Sequence, residues 1–404
     1  MKDAKRPRPQ SPEDAQRPPP AINAPPTLPR ALPFACRHVV GPMVGASDLA
    51  FRMLCRRHGA DVCYTEMIFS QRLCDDDEYR ERKLRTTAKD RPLVVQLQGN
   101  DPTVVARAAA LVEATISSEG GLAIDLNLGC PLAQAEEGRF GSYLLSREHW
   151  PQVGAMIRAM VSAVSLPVCA KIRLLPSLNE SIELCRMLTA SGCSLIAIHA
   201  RQRPPSGKHR GERHRCAADL NSVRDIVAAL RPQTATTSCT NAAGCRIVSN
   251  GNTATPRDVA RNLAYTRADG IMCAEGVLRD PTLFAAPADD AQDIGVDCTS
   301  WQGGGVDDRE EVTEPCLPRE KLGGVALEYL DLAREYEPEA MSVVRGHIMW
   351  LLGKSGKGHH CSFDHLGPYT PQQLRMALVE ASSLDEFEQI VRAALQMERE
   401  MRQV

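Results

Sequence analysis

The chain has 404 residues, 43% of them hydrophobic, and a formal net charge of -2. Its mean hydropathy is -0.26. A large core is affordable, while a uniformly basic nucleic-acid coat is excluded, leaving only local basic patches to meet a polyanion. No run of 18 apolar residues occurs, so no membrane span is expected. The 15 cysteines are odd in number, scattered, and never spaced Cys-x-x-Cys, which argues against a disulfide framework and a zinc ribbon. Apart from one of them, they read as small buried hydrophobes in a reducing compartment, and no metal is expected.

Residues 1–33 are charged and Pro-rich ("KRPRPQSPEDAQRPPPAINAPP") and cannot bury enough apolar surface to order themselves. The acids Glu13 and Asp14 and the many prolines are wrong for a transit peptide. "KRPRP" has the composition of a nuclear import signal, so cytoplasm and nucleus are the compartments expected. From Cys36 a rhythm sets in. Eight short β-rich runs follow: "CRHVVGPMV", "ADVCYTEM", "PLVVQLQG", "GLAIDLNLG", "PVCAKIRL", "SLIAIHAR", "RIVSNGN" and "DGIMCAEG". Helical stretches such as "SDLAFRMLCRRHG" and "DPTVVARAAALVEATISS" lie between them, several opening on a Ser or Asp suited to an N-cap. Eight strand–helix units predict a (β/α)8 TIM barrel over residues 34–285, with a polar insertion at about 231–245. A doubly wound sheet is the alternative, but no Gly-x-Gly-x-x-Gly follows its first strand. Residues 286–318 are acidic and Gly/Pro-rich and read as a linker or insertion. Residues 319–404 carry only helical patterns and predict a small all-α bundle.

In such a barrel the chemistry sits at the C-terminal ends of the strands. Those ends carry, in order, Pro42-Met43-Val44, Gln96, Asn127 and Cys130, Lys171 and Arg173, His199 and Arg201, Asn250-Gly251-Asn252, and Ala274-Glu275-Gly276. Each has an ordinary reading as well: Lys171 as a snorkelling strand end, His199 as a satisfied core histidine, Asn250–Asn252 as a good turn. Together, a cation, a histidine and several amides at one mouth suit an anionic, planar, hydrogen-bonding cofactor. The glycine-bearing ends of the last two strands suit its phosphate. Cys130 is held between Gly129 and Pro131 at the end of an apolar run, with a Gly-rich polar loop after it.

The stretch "IDLNLGCPLAQAEEGRFGS" resembles the signature of the tRNA-dihydrouridine synthases, including the Gly141-Ser142 pair at its spacing from the Asn-x-Gly-Cys-Pro group. "GPMVGASDLAFR", "VVQLQGNDP", "AKIRL", "IHARQR", "SNGN" and "GIMCAEG" follow in that family's order. "RRHGADVCYTEM" and "CAEGVLRDPTLF" look most like the eukaryotic branch acting on D-loop uridines 16 and 17.

The resemblance implies an FMN-containing barrel, NADPH as the electron source, and a C-terminal helical domain that grips tRNA. It implies Cys130 as the acid that protonates C5 of a flipped uridine, a role an ordinary thiol can fill because it is mostly protonated at neutral pH. It implies cofactor contacts from Pro42, Met43, Val44, Gln96, Lys171, His199, Asn250, Gly251, Asn252, Ala274, Glu275 and Gly276. It also implies tRNA contacts from Asn127, Arg173, Arg201, Arg345 and Lys354, with His347 and Lys357 in the same basic stretch. His199-Ala200-Arg201-Gln202 stands where the family often has His-Gly-Arg-Thr, and Glu275 where many members have Arg. A carboxylate beside a phosphate is unfavourable, so Glu275 is expected to point away. A flavin barrel acting on a free pyrimidine and a non-catalytic tRNA-binding protein are the rival readings. A monomer is expected.

Overall fold

The computed structural model describes residues 27–116, 120–204, 218–231, 244–285, 319–353 and 368–401. Nine parallel strands form one sheet: β1 (His38–Val40), β2 (Val62–Tyr64), β3 (Ile68–Phe69), β4 (Leu93–Gln98), β5 (Leu122–Leu128), β6 (Val168–Leu174), β7 (Cys193–Gln202), β8 (Arg246–Asn250) and β9 (Gly270–Cys273). Neighbours run β2-β1-β9-β8-β7-β6-β5-β4, and β4 pairs back to β2, so eight strands close into a barrel. These eight coincide with the eight expected runs, and helices follow the strands around the outside. The ninth, β3, is a two-residue strand beside the far end of β4. It is too short to show a period, so it reads in the sequence as a continuation of β2.

Alternation along each strand explains where the polar residues go. Side chains two apart share a face of the sheet. In β5, Leu122, Ile124, Leu126 and Leu128 pack outward into the core under the helices. Ala123 joins the barrel interior with Val39, Val62, Tyr64, Val94, Cys169, Leu195, Ala197, Val248 and Met272. Asp125 and Asn127 share the parity of Ala123, just as Lys171 and Arg173 share that of Cys169 and Asn250 that of Val248. The interior is therefore apolar over its lower half and polar toward the strand C-termini. Phe34 and Leu32 pack against its lower end.

Among the described residues four helices follow the barrel, at Arg319–Tyr336, Met341–Leu352, Pro371–Glu380 and Leu384–Met401. Their apolar faces form one continuous core with the Leu49–Arg57 helix of the barrel. Asp48 joins the two parts. Its carboxylate caps that helix by accepting from Phe51 N, lies 2.7 Å from His347 Nε2, and accepts from the Tyr329 hydroxyl at 3.4 Å. The His347 ring stacks on Phe51 with centroids 4.3 Å apart. His347 is thus 1% exposed and belongs to the core, although its sequence neighbourhood is basic. Glu328 adds an ion pair with Arg57 and meets His58 at 2.9 Å.

Replacing Asp48 by Ala removes a helix cap and the partner of a buried imidazole at once. A lost cap costs about 1 kcal/mol and breaking a buried pair about 3–5 kcal/mol. Urea unfolding of Asp48→Ala should show a loss in that combined range, with Asp48→Asn losing less because its carbonyl can still cap. A loss in Asp48→Ala no larger than that of an ordinary surface substitution would show that the tail docks without this contact.

Candidate active site

The polar upper interior is a connected hydrogen-bond system. At the end of β5 the Asn127 side chain does two things: its Oδ1 accepts from Gly129 N (3.1 Å) and Cys130 N (3.0 Å), and its Nδ2 donates to Gln96 Oε1 (2.8 Å). Gln96 in turn donates through Nε2 to Asp125 Oδ2 at 2.8 Å. From the other side Arg173 Nε donates to Gly129 O at 2.7 Å and its Nη1 to Gln202 O at 3.2 Å. Ser142 N and Oγ both donate to Cys130 O, at 3.0 and 2.9 Å.

This clasp explains the spacing between the cysteine and the Gly-Ser pair. Gly141 has φ +64°, and a Cβ there would sit 2.8 Å from Cys130 O and 3.0 Å from Cys130 Cβ. Only glycine lets the returning loop approach so closely. Cys130 itself is of intermediate exposure, whereas the other cysteines among the described residues are buried.

Across the mouth, Lys171 Nζ donates to Asn250 Oδ1 at 3.1 Å, and Asn250 Nδ2 donates to Met272 O. Burial, with the Arg173 cation as a second cause, pulls the Lys171 ammonium down to about 8. Arg201 Nη1 lies 3.4 Å from His199 Nε2, and its Nη2 donates to Asn252 Oδ1 at 3.1 Å. A guanidinium only donates, so this contact favours the His199 tautomer with its proton on Nδ1. The loops after β8 and β9 interlock, with Cys273 Sγ donating to Thr253 O and Gly276 leaving no room for a Cβ against either atom. Pro42, Met43 and Val44 form the loop after β1, and Val44 is exposed at 68%. Glu275 is drawn to Arg279 at 3.0 Å.

The strand-end residues expected at a cofactor therefore lie at one end of the barrel, but Gln96 is not free to meet a ligand: it is wholly buried, with its amide spent on Asp125 and Asn127. Among the described residues, those expected at tRNA do not form a surface. Asn127, Arg173 and Arg201 are 7%, 6% and 8% exposed, and the bonds described above tie them to the scaffold: a buried guanidinium or amide facing a barrel interior has to satisfy its donors there. Arg345 donates to the carbonyls of Leu378 and Ala381 at the end of the Pro371–Glu380 helix. Lys354 and Lys357 lie outside the described residues. Asp125 was not among the expected site residues. Its signal was a carboxylate breaking an apolar strand at the same parity as Asn127.

The donor set at the mouth is one that could hold an anionic, acceptor-rich group. Among the described residues Lys171 spends one of its three N–H bonds, on Asn250. The fold and site define a (β/α)8 barrel with a half-exposed cysteine clasped at its C-terminal mouth, the class of barrel that keeps its chemistry on that face. Residues 38–298 match the family described as Dihydrouridine synthase (Dus), and the chain belongs to that family. A Rattus norvegicus protein described as "tRNA-dihydrouridine(16/17) synthase [NAD(P)(+)]-like" is 33% identical over 351 residues, covering 86% of this chain and 64% of its own. The Schizosaccharomyces pombe protein described as "tRNA-dihydrouridine(16/17) synthase [NAD(P)(+)]" is 29% identical over 322 residues, covering 78% of this chain and 69% of its own. A Saccharomyces cerevisiae protein of the same description is 33% identical over 249 residues, covering 61% and 53%. The chain spans 64% and 59% of the lengths of the rat and mouse relatives it matches.

Burial pushes the Asp125 carboxyl up to about 7, against the opposing pull of the Gln96 hydrogen bond and the Lys171 charge. An ordinary aspartate ionises near 4, so between about pH 4 and the folded-state value the native protein holds a proton that the unfolded chain has lost. Asp125 therefore contributes stability that is fully present below about pH 4 and is lost as pH rises through about 7. Lys171 contributes its own pH dependence above that window, because its folded value is about 8. In urea titrations across this range, Asp125→Asn should show a shallower fall in stability with pH than the parent protein. Parallel curves would mean that Asp125 is not the group responsible.

Proposed function

We propose that this protein is a tRNA-dihydrouridine synthase that uses FMN and NADPH to reduce the C5–C6 bond of a D-loop uridine, at positions 16 and 17. The observation that carries the reading is Cys130: a half-exposed thiol at the barrel mouth, its backbone fixed on both sides by Asn127 and Ser142. The descriptions of the relatives support the substrate, the positions and the NAD(P) requirement.

When bound, FMN reduced by NADPH would supply the hydride that C6 of the uracil receives. The chain supplies the rest. Lys171, with Asn250 orienting its ammonium, and His199, held by Arg201, would meet the acceptor atoms of the cofactor. The Pro42–Val44 loop would meet a ring face, and the backbone around Asn250–Asn252 and Ala274–Gly276 the phosphate. Glu275, paired with Arg279, is turned from that anion. Cys130 would hold a proton above the flipped base and give it to C5, so that hydride and proton together saturate the bond, and the thiolate would regain its proton from solvent. The helical tail would grip the tRNA through cations after the Met341–Leu352 helix, Lys354 and Lys357 among them, with residues 286–318 linking it to the barrel. The protein would act as a monomer in the cytoplasm or nucleus.

Cys130→Ala tests this reading. It should retain the cofactor and consume NADPH at a rate near wild type in the half-reaction that needs no acid. Dihydrouridine formation in tRNA should fall by about 10²–10⁴-fold, the usual contribution of a general acid. Cys130→Ser should be nearly as poor, since a hydroxyl is the weaker acid. A parallel fall of both half-reactions would instead assign Cys130 to packing, and reduction of free uracil in preference to tRNA would point to a small-molecule reductase.

A further inference from the structure

Asp125 is fully buried, and among the described residues one of its carboxyl oxygens, Oδ1, has no hydrogen-bond partner. Nothing in the proposed chemistry uses it, and a buried carboxyl is costly to keep. Its other oxygen is the end of a chain: Asp125 Oδ2 accepts from Gln96 Nε2, Gln96 Oε1 accepts from Asn127 Nδ2, and Asn127 Oδ1 accepts from Gly129 N and Cys130 N. We propose that Asp125 is the positioning residue for Cys130: its carboxyl sets the direction of the Gln96–Asn127 amide chain and so fixes the backbone that carries the thiol.

A primary amide has a donor end and an acceptor end of nearly the same shape, so a buried glutamine or asparagine can fit either way round. Gln96 is wholly buried between the side chains of Asp125 and Asn127, and the β4–β5 register places Gln96 directly beside Asp125. The carboxyl accepts at the Gln96 contact, so the NH2 of Gln96 must face it and the carbonyl must face Asn127. That carbonyl forces the NH2 of Asn127 toward Gln96 and leaves the Asn127 oxygen for the two backbone N–H groups, which only donate. Turned the other way, Gln96 would give up the bond that Asp125 Oδ2 accepts, and Asn127 would be driven to present NH2 to two N–H donors. The chain is therefore consistent in one direction only, and Asp125 fixes that direction from 5 positions upstream of the cysteine in the sequence. The same parity that buries Asp125 under Asn127 on β5 makes the two residues part of one device.

The inference rests on the reading of Cys130 as the reacting thiol, but its test does not require turnover. The purified full-length protein is treated with iodoacetamide, and alkylation of Cys130 is followed by peptide mapping beside the buried Cys74. Asp125→Leu, which removes the acceptor but keeps the branching of the side chain, should free the Gly129–Cys130 backbone. It should raise the Cys130 rate about 2- to 10-fold, the factor that one net hydrogen bond is worth, and leave Cys74 slow. Asp125→Asn can still offer an oxygen to Gln96 and should restore the parent rate. In an Asn127→Ala background, Asp125→Leu should add nothing, because the chain through which it acts is already cut. Should Asp125→Leu fail to fold, Gln96→Leu cuts the same chain one residue along and must raise the Cys130 rate in the same way. Additive effects of the Asp125 and Asn127 changes would overturn the proposal, as would an unaltered Cys130 rate in a folded Asp125→Leu or Gln96→Leu protein, or equal acceleration at Cys74. Non-additive alkylation, with the Cys130-alkylated protein still forming dihydrouridine in tRNA at the parent rate, would keep this positioning role and sink the acid role of Cys130, so the two failures can be told apart.

Discussion

The Asn127 side chain is the contact on which the mouth of the barrel depends. A cysteine placed one residue past a glycine, on a loop, has no intrinsic reason to stay in one place. Asn127 gives it one by accepting from two successive backbone N–H groups, and it can do so because its own NH2 is taken up by Gln96. Arg173 and Ser142 then hold the carbonyls on either side, Gly129 O and Cys130 O. Three side chains, from β5, β6 and the loop that returns past the cysteine, thus meet on three consecutive peptide units. The barrel supplies the rigidity: Gln96, Asn127 and Arg173 sit on paired strands, and their side chains emerge at fixed spacing.

Much of this was legible in the sequence because parallel strands buried on both faces have to be nearly all apolar. Eight such runs separated by helical patterns specify a barrel, and the polar residues that interrupt them mark the inner, upper layer. Cys130, Lys171, His199 and Asn250 were recognisable for that reason. What was not legible is which of those polar groups faces a ligand and which faces a neighbour. Asn127, Arg173 and Arg201 carry the same residue types as RNA-binding groups, but pairing across strands decides their partners, and pairing is not written in any one segment. Asp125 was hidden by the opposite effect, a polar residue inside a run that otherwise scans as a strand core.

The tail shows the same limit. The stretch "SVVRGHIMWLLGK" looks like a basic helix for a polyanion, yet His347 lies against Phe51 and Asp48, and Arg345 closes the end of another helix. A helix read alone shows which of its faces is apolar, but not that a carboxylate from 299 positions away will make a histidine part of the apolar face.

Asp48 also has a meaning for how this architecture could be rearranged. It caps the first barrel helix and receives the tail with the same carboxylate, and the core it borders runs from Phe51 and Leu54 into Tyr329, Ile348 and Phe387 without a break. The helical tail is accordingly not an interchangeable attachment. A chimera that grafts another helical bundle onto this barrel would inherit an apolar helix face cut to the shape of a different partner, unless the graft also brought an imidazole and a phenol to the positions of His347 and Tyr329.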